Sequence, residues 1–256
     1  MRRFMRWLFA LLLVALIAGV IFLRVKRHSF EPAQPVRASV VRLRNSFVDL
    51  YGAKSGDRVI LFDAGVDNEG KAVDALLAAL GATRDSVSDV FLTHAHGDHV
   101  GAVPLLPHAL VHAGQADVEL AAGTKPQGSL FARPLAWILP APKVTVTDAL
   151  VGRREISVGG GETVVALPFP GHTNGSYMYL YQGVLFTGDA LNLDGGKLVP
   201  PPSLFSSSAS ENRKSIASLG AELGGAKVEI VCTGHGGCTT PADTTDVTPH
   251  WTVRAR

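Results

Sequence analysis

Apolar and polar positions alternate in short runs along most of the chain, but one long apolar run stands apart at the amino terminus. Trp7 to Leu23 holds no charged residue, with Arg2, Arg3 and Arg6 before it and Arg24, Lys26 and Arg27 after it. Seventeen residues rising about 1.5 Å each reach roughly 25 Å, the short end of a bilayer span. Residues 1–28 therefore predict a retained single-pass membrane anchor. A cleaved signal peptide is the competing reading, and Ile17, Gly19 and Ile21 offer it only a poor small-x-small site. Three basic residues on each side leave the positive-inside rule undecided. A large following domain translocates regardless of its own charges, which favours an extracytoplasmic, periplasmic domain.

Beyond the anchor, residues 29–35 with Pro32 and Pro35 read as a stiff spacer, and residues 36–256 as one domain. Val36 to Leu43, Phe47 to Tyr51 and Val59 to Phe62 are β-rich runs, broken by Gly52 and Gly56 and ending at Asp63-Ala64-Gly65. Val73, Leu76, Leu77 and Leu80 recur at helical spacing and predict a helix over 70–80 that Gly81 stops. A strand over 87–92 follows, then a strand over 109–112 and a short helix over 116–122. The proline-broken apolar stretch 131–142, with Trp137, reads as a loop that walls a cleft or packs into the core. Further strands are predicted over 155–158, 163–168, 177–180 and 184–186. A helix over 211–223 capped by Ser210 and a strand over 228–232 complete the pattern. Strand runs followed by helices occur twice, which suits two sheets packed face to face with helices outside.

Composition adjusts this picture in two places. Six of the 24 Lys and Arg lie in residues 1–28 with no acid among them, leaving 18 basic against 22 acidic residues, a net charge of −4. A domain of that balance lacks the basic stripe of a nucleic-acid enzyme, so no nucleic-acid partner is expected. Cys232 and Cys238 could bridge in an oxidising compartment, but spacing alone does not show that their β-carbons approach, and the sequence leaves their redox state open.

The candidate chemistry sits in Thr93-His94-Ala95-His96-Gly97-Asp98-His99, at the C-terminal end of the 87–92 strand, where a rigid sheet aims loop residues. Imidazoles and a carboxylate this close suit zinc or a similar transition ion; a turn of solvated histidines is the competing reading. Neighbours in one loop rarely saturate an ion, so more ligands must come from elsewhere. His172, Asp189 and His235 each stand beside glycine at the end of a predicted strand. His108, His112 and His250 fit no such pattern and read as surface or structural.

This ordered set, His94-x-His96-x-Asp98-His99, His172 in PGHTNGS, Asp189 in FTGDA and His235 in TGHGG, with Asp63 in LFDAG ahead of it, resembles the metallo-β-lactamase-fold hydrolases over about residues 36 to 237. The resemblance implies an α/β architecture, the αββα four-layer sandwich, here behind an N-terminal transmembrane helix. It also implies two divalent metal ions: His94, His96 and His172 on the first, Asp98, His99 and His235 on the second, Asp189 bridging, and Asp63 orienting a liganding histidine. Zinc is the expected metal, with iron or manganese as alternatives. A shared water held as hydroxide near neutral pH is the implied nucleophile, and Asp98 the residue that handles its proton. Ser176 and Tyr177 could offer hydroxyls to substrate, with a core role for Tyr177 as the alternative.

Departures within the family narrow the substrate. β-Lactamases of this fold generally carry cysteine or serine at the position of Asp189, and glyoxalase II enzymes append a helical domain for which residues after His235 do not suffice. The expectation is hydrolysis of a small ester, thioester or lactone, as in the lactonase and glyoxalase II-like subgroup. β-Lactam or phosphodiester hydrolysis, or redox chemistry at a di-iron centre, are the alternatives.

Overall fold

The structure, a computed structural model, describes residues 2–126, 138 and 140–239. Two sheets dominate it. The first holds seven strands in chain order: β1 (Gln34–Arg37), β2 (Val40–Asn45), β3 (Val48–Ser55), β4 (Arg58–Phe62), β5 (Val87–Phe91), β6 (Leu110–Gly114) and β7 (Asp148–Leu150). In the second, β8 (Arg154–Gly159), β9 (Glu162–Pro168), β10 (Tyr177–Tyr181) and β11 (Val184–Gly188) are followed in space by β14 (Ile230–Thr233) and β15 (Gly237–Cys238). A small hairpin, β12 (Asn192–Asp194) with β13 (Lys197–Val199), stands apart. Among the described residues the main α-helices are α1 (Arg2–Lys26), α2 (Lys71–Ala79), α3 (Val118–Ala121) and α4 (Ala209–Leu223).

Strand alternation builds the four layers, because successive side chains leave opposite faces. On β4, Val59 and Leu61 join Leu76 and Leu77 of α2 in an outer core, whereas Ile60 and Phe62 enter a core between the sheets. On β10, Tyr177, Tyr179 and Tyr181 face inward, and Met178 and Leu180 pack with Ile216 and Leu219 of α4 in a third core. Three cores separating helix, sheet, sheet and helix make an αββα sandwich. Phe62 and Phe186 stack at 3.8 Å between centroids where the sheets meet, and burial of each such side chain contributes about 1.5–3 kcal/mol.

Several local expectations need correction. Gly52 does not break a strand; it lies inside β3, where a Cβ would come within 3.0 Å of Leu80 and 3.2 Å of Leu76, so its bareness lets α2 seat closely. Ser208, not Ser210, caps α4: its backbone is extended and its hydroxyl accepts from the Glu211 amide at 3.2 Å. Cys232 and Cys238 are disulfide-bonded, because β14 and β15 pair antiparallel with these two residues opposite one another, their Cα atoms 4.0 Å apart. Residues 127–137 and 139, which hold most of the expected apolar loop and Trp137, lie outside the described residues, as does His250.

Helix α1 is long and apolar enough to cross a membrane over Trp7–Lys26, with mean hydropathy 2.8 and none of that span buried against the domain. The residues that follow it are tied to the domain. Arg27 is buried, and its guanidinium donates to the Val66 carbonyl from Nη2 at 2.8 Å and Nε at 3.2 Å. The Asn45 side-chain amide donates to the carbonyls of Arg27 and Ser29 at 2.8 and 2.9 Å, and its oxygen accepts from the amides of Val66 and Asp67. His28 meets Asp67 at 2.6 Å, and Phe30 bridges Asn45. Residues 27–31 are thus laced to the domain's edge.

Candidate metal centre

The ligand-type residues gather at one end of the sandwich. Strands β4, β5, β6 and β7 run parallel, so their C-terminal ends coincide. Asp63 follows β4 and the histidine loop follows β5. The second sheet sends His172 from the loop between β9 and β10, Asp189 from the end of β11, and His235 from the turn between β14 and β15. All seven predicted ligand residues come together in three overlapping trios: His94, His96 and His172; His94, His99 and Asp189; Asp98, His99 and His235. Within each trio the ligand atoms lie within 4.8 Å of one another.

Asp189 stands in the middle. Its carboxylate oxygens lie 3.4 Å from His99 Nε2, 3.5 Å from His172 Nε2 and 3.1 Å from His235 Nε2. Asp98 lies 3.4 Å from His235 Nε2 and 3.7 Å from His99 Nε2. Two glycines make the approach possible: a Cβ on Gly188 would sit 2.1 Å from Thr93 Oγ1, and one on Gly234 would sit 2.2 Å from an Asp189 oxygen.

Around this group, other atoms fix how each ring points. Asp63, whose backbone sits in the left-handed region at φ 60°, accepts from the Thr93 amide and hydroxyl, both at 2.8 Å, and meets His99 Nδ1 at 2.7 Å. That contact spends the outer nitrogen of His99 and turns Nε2 inward. His235 is held likewise, its Nδ1 at 2.8 Å from the Phe47 carbonyl.

Among the described residues, four buried side-chain atoms have no hydrogen-bond partner: His94 Nε2, His99 Nε2, His172 Nδ1 and Asp189 Oδ1. Buried polar atoms are nearly always paired, and His94, His99 and Asp189 form one of the trios. Burial, reinforced by the neighbouring imidazoles, pulls His94 well below its usual value, and burial brings His172 down to about 4 despite Asp189. Burial opposes charge on His99 and His235 too, but it is outweighed: Asp63 and Asp189 lift His99 well above its usual value, and Asp189 lifts His235 to about 9. Asp189 is buried as well, yet His235 and His99 hold its carboxyl well below the ordinary range. Buried imidazoles converging with carboxylates are the donor set a divalent transition ion takes. The residues fit such ions.

A family profile described as the metallo-beta-lactamase superfamily matches residues 44–235. The chain belongs to that superfamily. Among curated relatives, an uncharacterized protein of Bacillus subtilis (strain 168), YobT, is 33% identical over 159 residues, which is 58% of this chain and 64% of that protein. A hydroxyacylglutathione hydrolase of Fuscovulum blasticum is 26% identical over 196 residues, 75% of this chain and 63% of that enzyme. The chain thus spans less than two thirds of the length of these relatives. A subclass B3 metallo-beta-lactamase of Bradyrhizobium japonicum superposes with a TM-score of 0.64 at 21% identity, covering 82% of this chain and 80% of that one. The metallo-beta-lactamase GOB-18 from Elizabethkingia meningoseptica superposes with a TM-score of 0.64 at 18% identity, covering 87% of each. At such identities these structures show the fold.

Within the superfamily frame, three buried residues matter that the sequence pattern passed over. Asp117, just after β6, accepts from the Ala95 amide at 3.0 Å, the Thr173 hydroxyl at 2.8 Å and the Gly175 amide at 2.9 Å. It straps the histidine loop of one sheet to the His172 loop of the other. Asp49 on β3 does the same for His235. Its carboxylate takes Arg42, Arg44 and the Gly237 amide, its own amide donates to the Gly234 carbonyl, and Arg44 donates to the His235 carbonyl. Burial pushes the Asp49 carboxyl up, against the pull of the two arginines. Asn45 was hidden in the same way. Only an isolated acid in an apolar run could have drawn attention to Asp117 or Asp49. Ser176 is not free for substrate: it is buried and its hydroxyl accepts from the Thr173 amide. Tyr177 donates to the Gly152 carbonyl from within the core. His112 is buried between Asp89 and Asp148, both at 2.8 Å, which makes it structural, and His108 is exposed.

Proposed function

We propose that this superfamily hydrolase is a dinuclear metal-dependent enzyme, with zinc as its metal, that cleaves a small ester, thioester or lactone. The gathering of His94, His96, His172, Asp98, His99, His235 and Asp189 into three trios, with partnerless buried atoms among them, carries this reading. His94, His96 and His172 would hold one ion and Asp98, His99 and His235 the other, Asp189 reaching both. A pair of divalent ions there supplies an acidified water and polarises the oxygen of the scissile group.

The chain's own residues do the rest. Asp63 keeps His99 in one tautomer by accepting a hydrogen bond from its Nδ1–H, and the Phe47 carbonyl does so for His235. Asp98 is the more exposed of the two carboxylates in the trios, 22% against 13% for Asp189. It can therefore accept a proton from the attacking water and pass it to solvent. The thioester choice is supported by the hydroxyacylglutathione hydrolase relatives, whose name specifies cleavage of an acyl-glutathione.

In the cell, α1 is proposed as a retained anchor with the domain on the extracytoplasmic side. The Cys232–Cys238 bridge supports an oxidising compartment. A panel of thioesters, lactones, β-lactams and phosphodiesters offered to the zinc-loaded full chain tests the substrate class. Turnover of thioesters or lactones is the expected result. Preference for phosphodiesters, or visible iron bands with redox turnover, would overturn it.

A further inference from the structure

The anchor leaves the domain at the end that carries the metal centre. Arg27 docks on Val66, a few residues beyond β4, and Asp63 at the tip of β4 holds His99. The β2–β3 hairpin turn lies at that same end, because β3 runs antiparallel to β4 with Tyr51 opposite Phe62. Leu110, by contrast, opens β6 opposite Asp89 and marks the far end of the parallel strands.

The connection is short and rigid. Asn45, the last residue of β2, bonds the carbonyls of Arg27 and Ser29, and two residues later Phe47 stacks on His235 with centroids 5.8 Å apart. Two residues span at most about 7 Å, so His235 lies on the order of 20 Å from the anchor exit. A domain of this length is about 45 Å across. The centre therefore cannot sit at the pole away from the anchor. No free spacer intervenes: Glu31 donates from its amide to the Arg44 carbonyl, Ser46 to the Ser29 carbonyl, and Phe30 pairs beside Asn45.

What this end presents is apolar as well as cationic. Phe30, bridged to Asn45, and Phe47, in the hairpin turn, are 43% and 37% exposed, and Arg24 and Lys26 close the anchor. Exposed aromatic rings beside the last turn of a membrane helix, with basic residues at the boundary, are the chemistry of a headgroup layer.

We infer that the metal-bearing end of the sandwich rests on the lipid bilayer, with Phe30 and Phe47 in its surface, so that the centre meets substrates that partition into the membrane through an acyl chain. This rests on the reading of α1 as a retained anchor. An amphiphilic ester or thioester would then reach the trios along the Phe47 rim without leaving the surface, and His235 is the ligand nearest its path.

The test uses the full chain in phosphatidylcholine vesicles containing lipid with a doxyl group high on the acyl chain. Phe30→Cys, Phe47→Cys and Leu110→Cys each receive an environment-sensitive fluorophore; the native cysteines are spent in their disulfide. Flotation with the vesicles is measured first, then quenching. The expected result is flotation of all three, with quenching at positions 30 and 47 several-fold stronger than at 110. Phe47 stacks on His235, whereas Phe30 pairs with Asn45, so the Phe30→Cys variant alone suffices if Phe47→Cys disturbs His235. Equal, weak quenching at 30 and 110 in protein that floats overturns the inference and leaves the anchor standing. Protein that stays out of the lipid fraction overturns both, by a different observation.

Discussion

The two sheets supply the metal centre in opposite ways. The first sheet places His94, His96, Asp98 and His99 in one loop after β5, within six residues of chain, and Asp63 from the adjacent strand braces it. The second sheet sends His172, Asp189 and His235 singly from three separate loops. A local cluster needs little beyond its own backbone to converge, whereas scattered ligands depend on what ties their loops across the cleft. Those ties are buried carboxylates of the first sheet: Asp117 for the His172 loop and Asp49 for the His235 turn. Each accepts backbone amides of the other half, so each holds position by directed hydrogen bonds rather than by charge alone.

Within the local cluster, Asp98→Ala tests the strongest effect. Turnover of any substrate found is expected to fall by about 10²–10⁴, the usual worth of a positioned acid or base. His94, His96 and His172 should still bind one ion. Wild-type turnover in that variant would remove Asp98 from the proposed chemistry.

Across the cleft, Asp117→Asn probes a tie instead of a ligand. An amide can accept from only one side, so one of the three donors it faces, Ala95, Thr173 or Gly175, meets an N–H instead. Metal affinity at the His94, His96 and His172 trio should drop by about 10–100-fold, the range seen for groups that orient ligands. Competition with a chromophoric chelator measures it. Unchanged affinity would show that the His172 loop holds itself, and that the two halves differ less than the hydrogen bonds imply.

That asymmetry also explains what could be read before the fold was known. The histidine loop announces itself because four ligand types fall together, and the glycine beside each of His172, Asp189 and His235 is a local mark. Gly188 and Gly234 show its cause, for a Cβ at either would strike Thr93 or Asp189. The twofold succession of strand runs and helices likewise foretold two sheets packed face to face with helices outside. Asp117, Asp49 and Asn45 carried no such mark. Their meaning lies largely in distant partners, such as Arg27, 18 positions from Asn45, and Gly237, 188 positions from Asp49, and spacing along a chain does not record which loops will face. The disulfide could not be decided for the same reason: antiparallel pairing of β14 with β15 aligns Cys232 and Cys238, and nothing in a spacing of six requires that pairing. Nor could the residues that follow the apolar run reveal that Asn45 would claim the carbonyls of Arg27 and Ser29.

Counting metal ions in the purified full chain, beside an Asp189→Ala variant, tests the centre most directly. Two ions per wild-type chain are expected, removable by chelation and restored by zinc. The variant should keep no more than one tightly, since Asp189 reaches His99, His172 and His235 at once. A wild-type chain that binds no ion, or a variant that still holds two as tightly, would contradict the account.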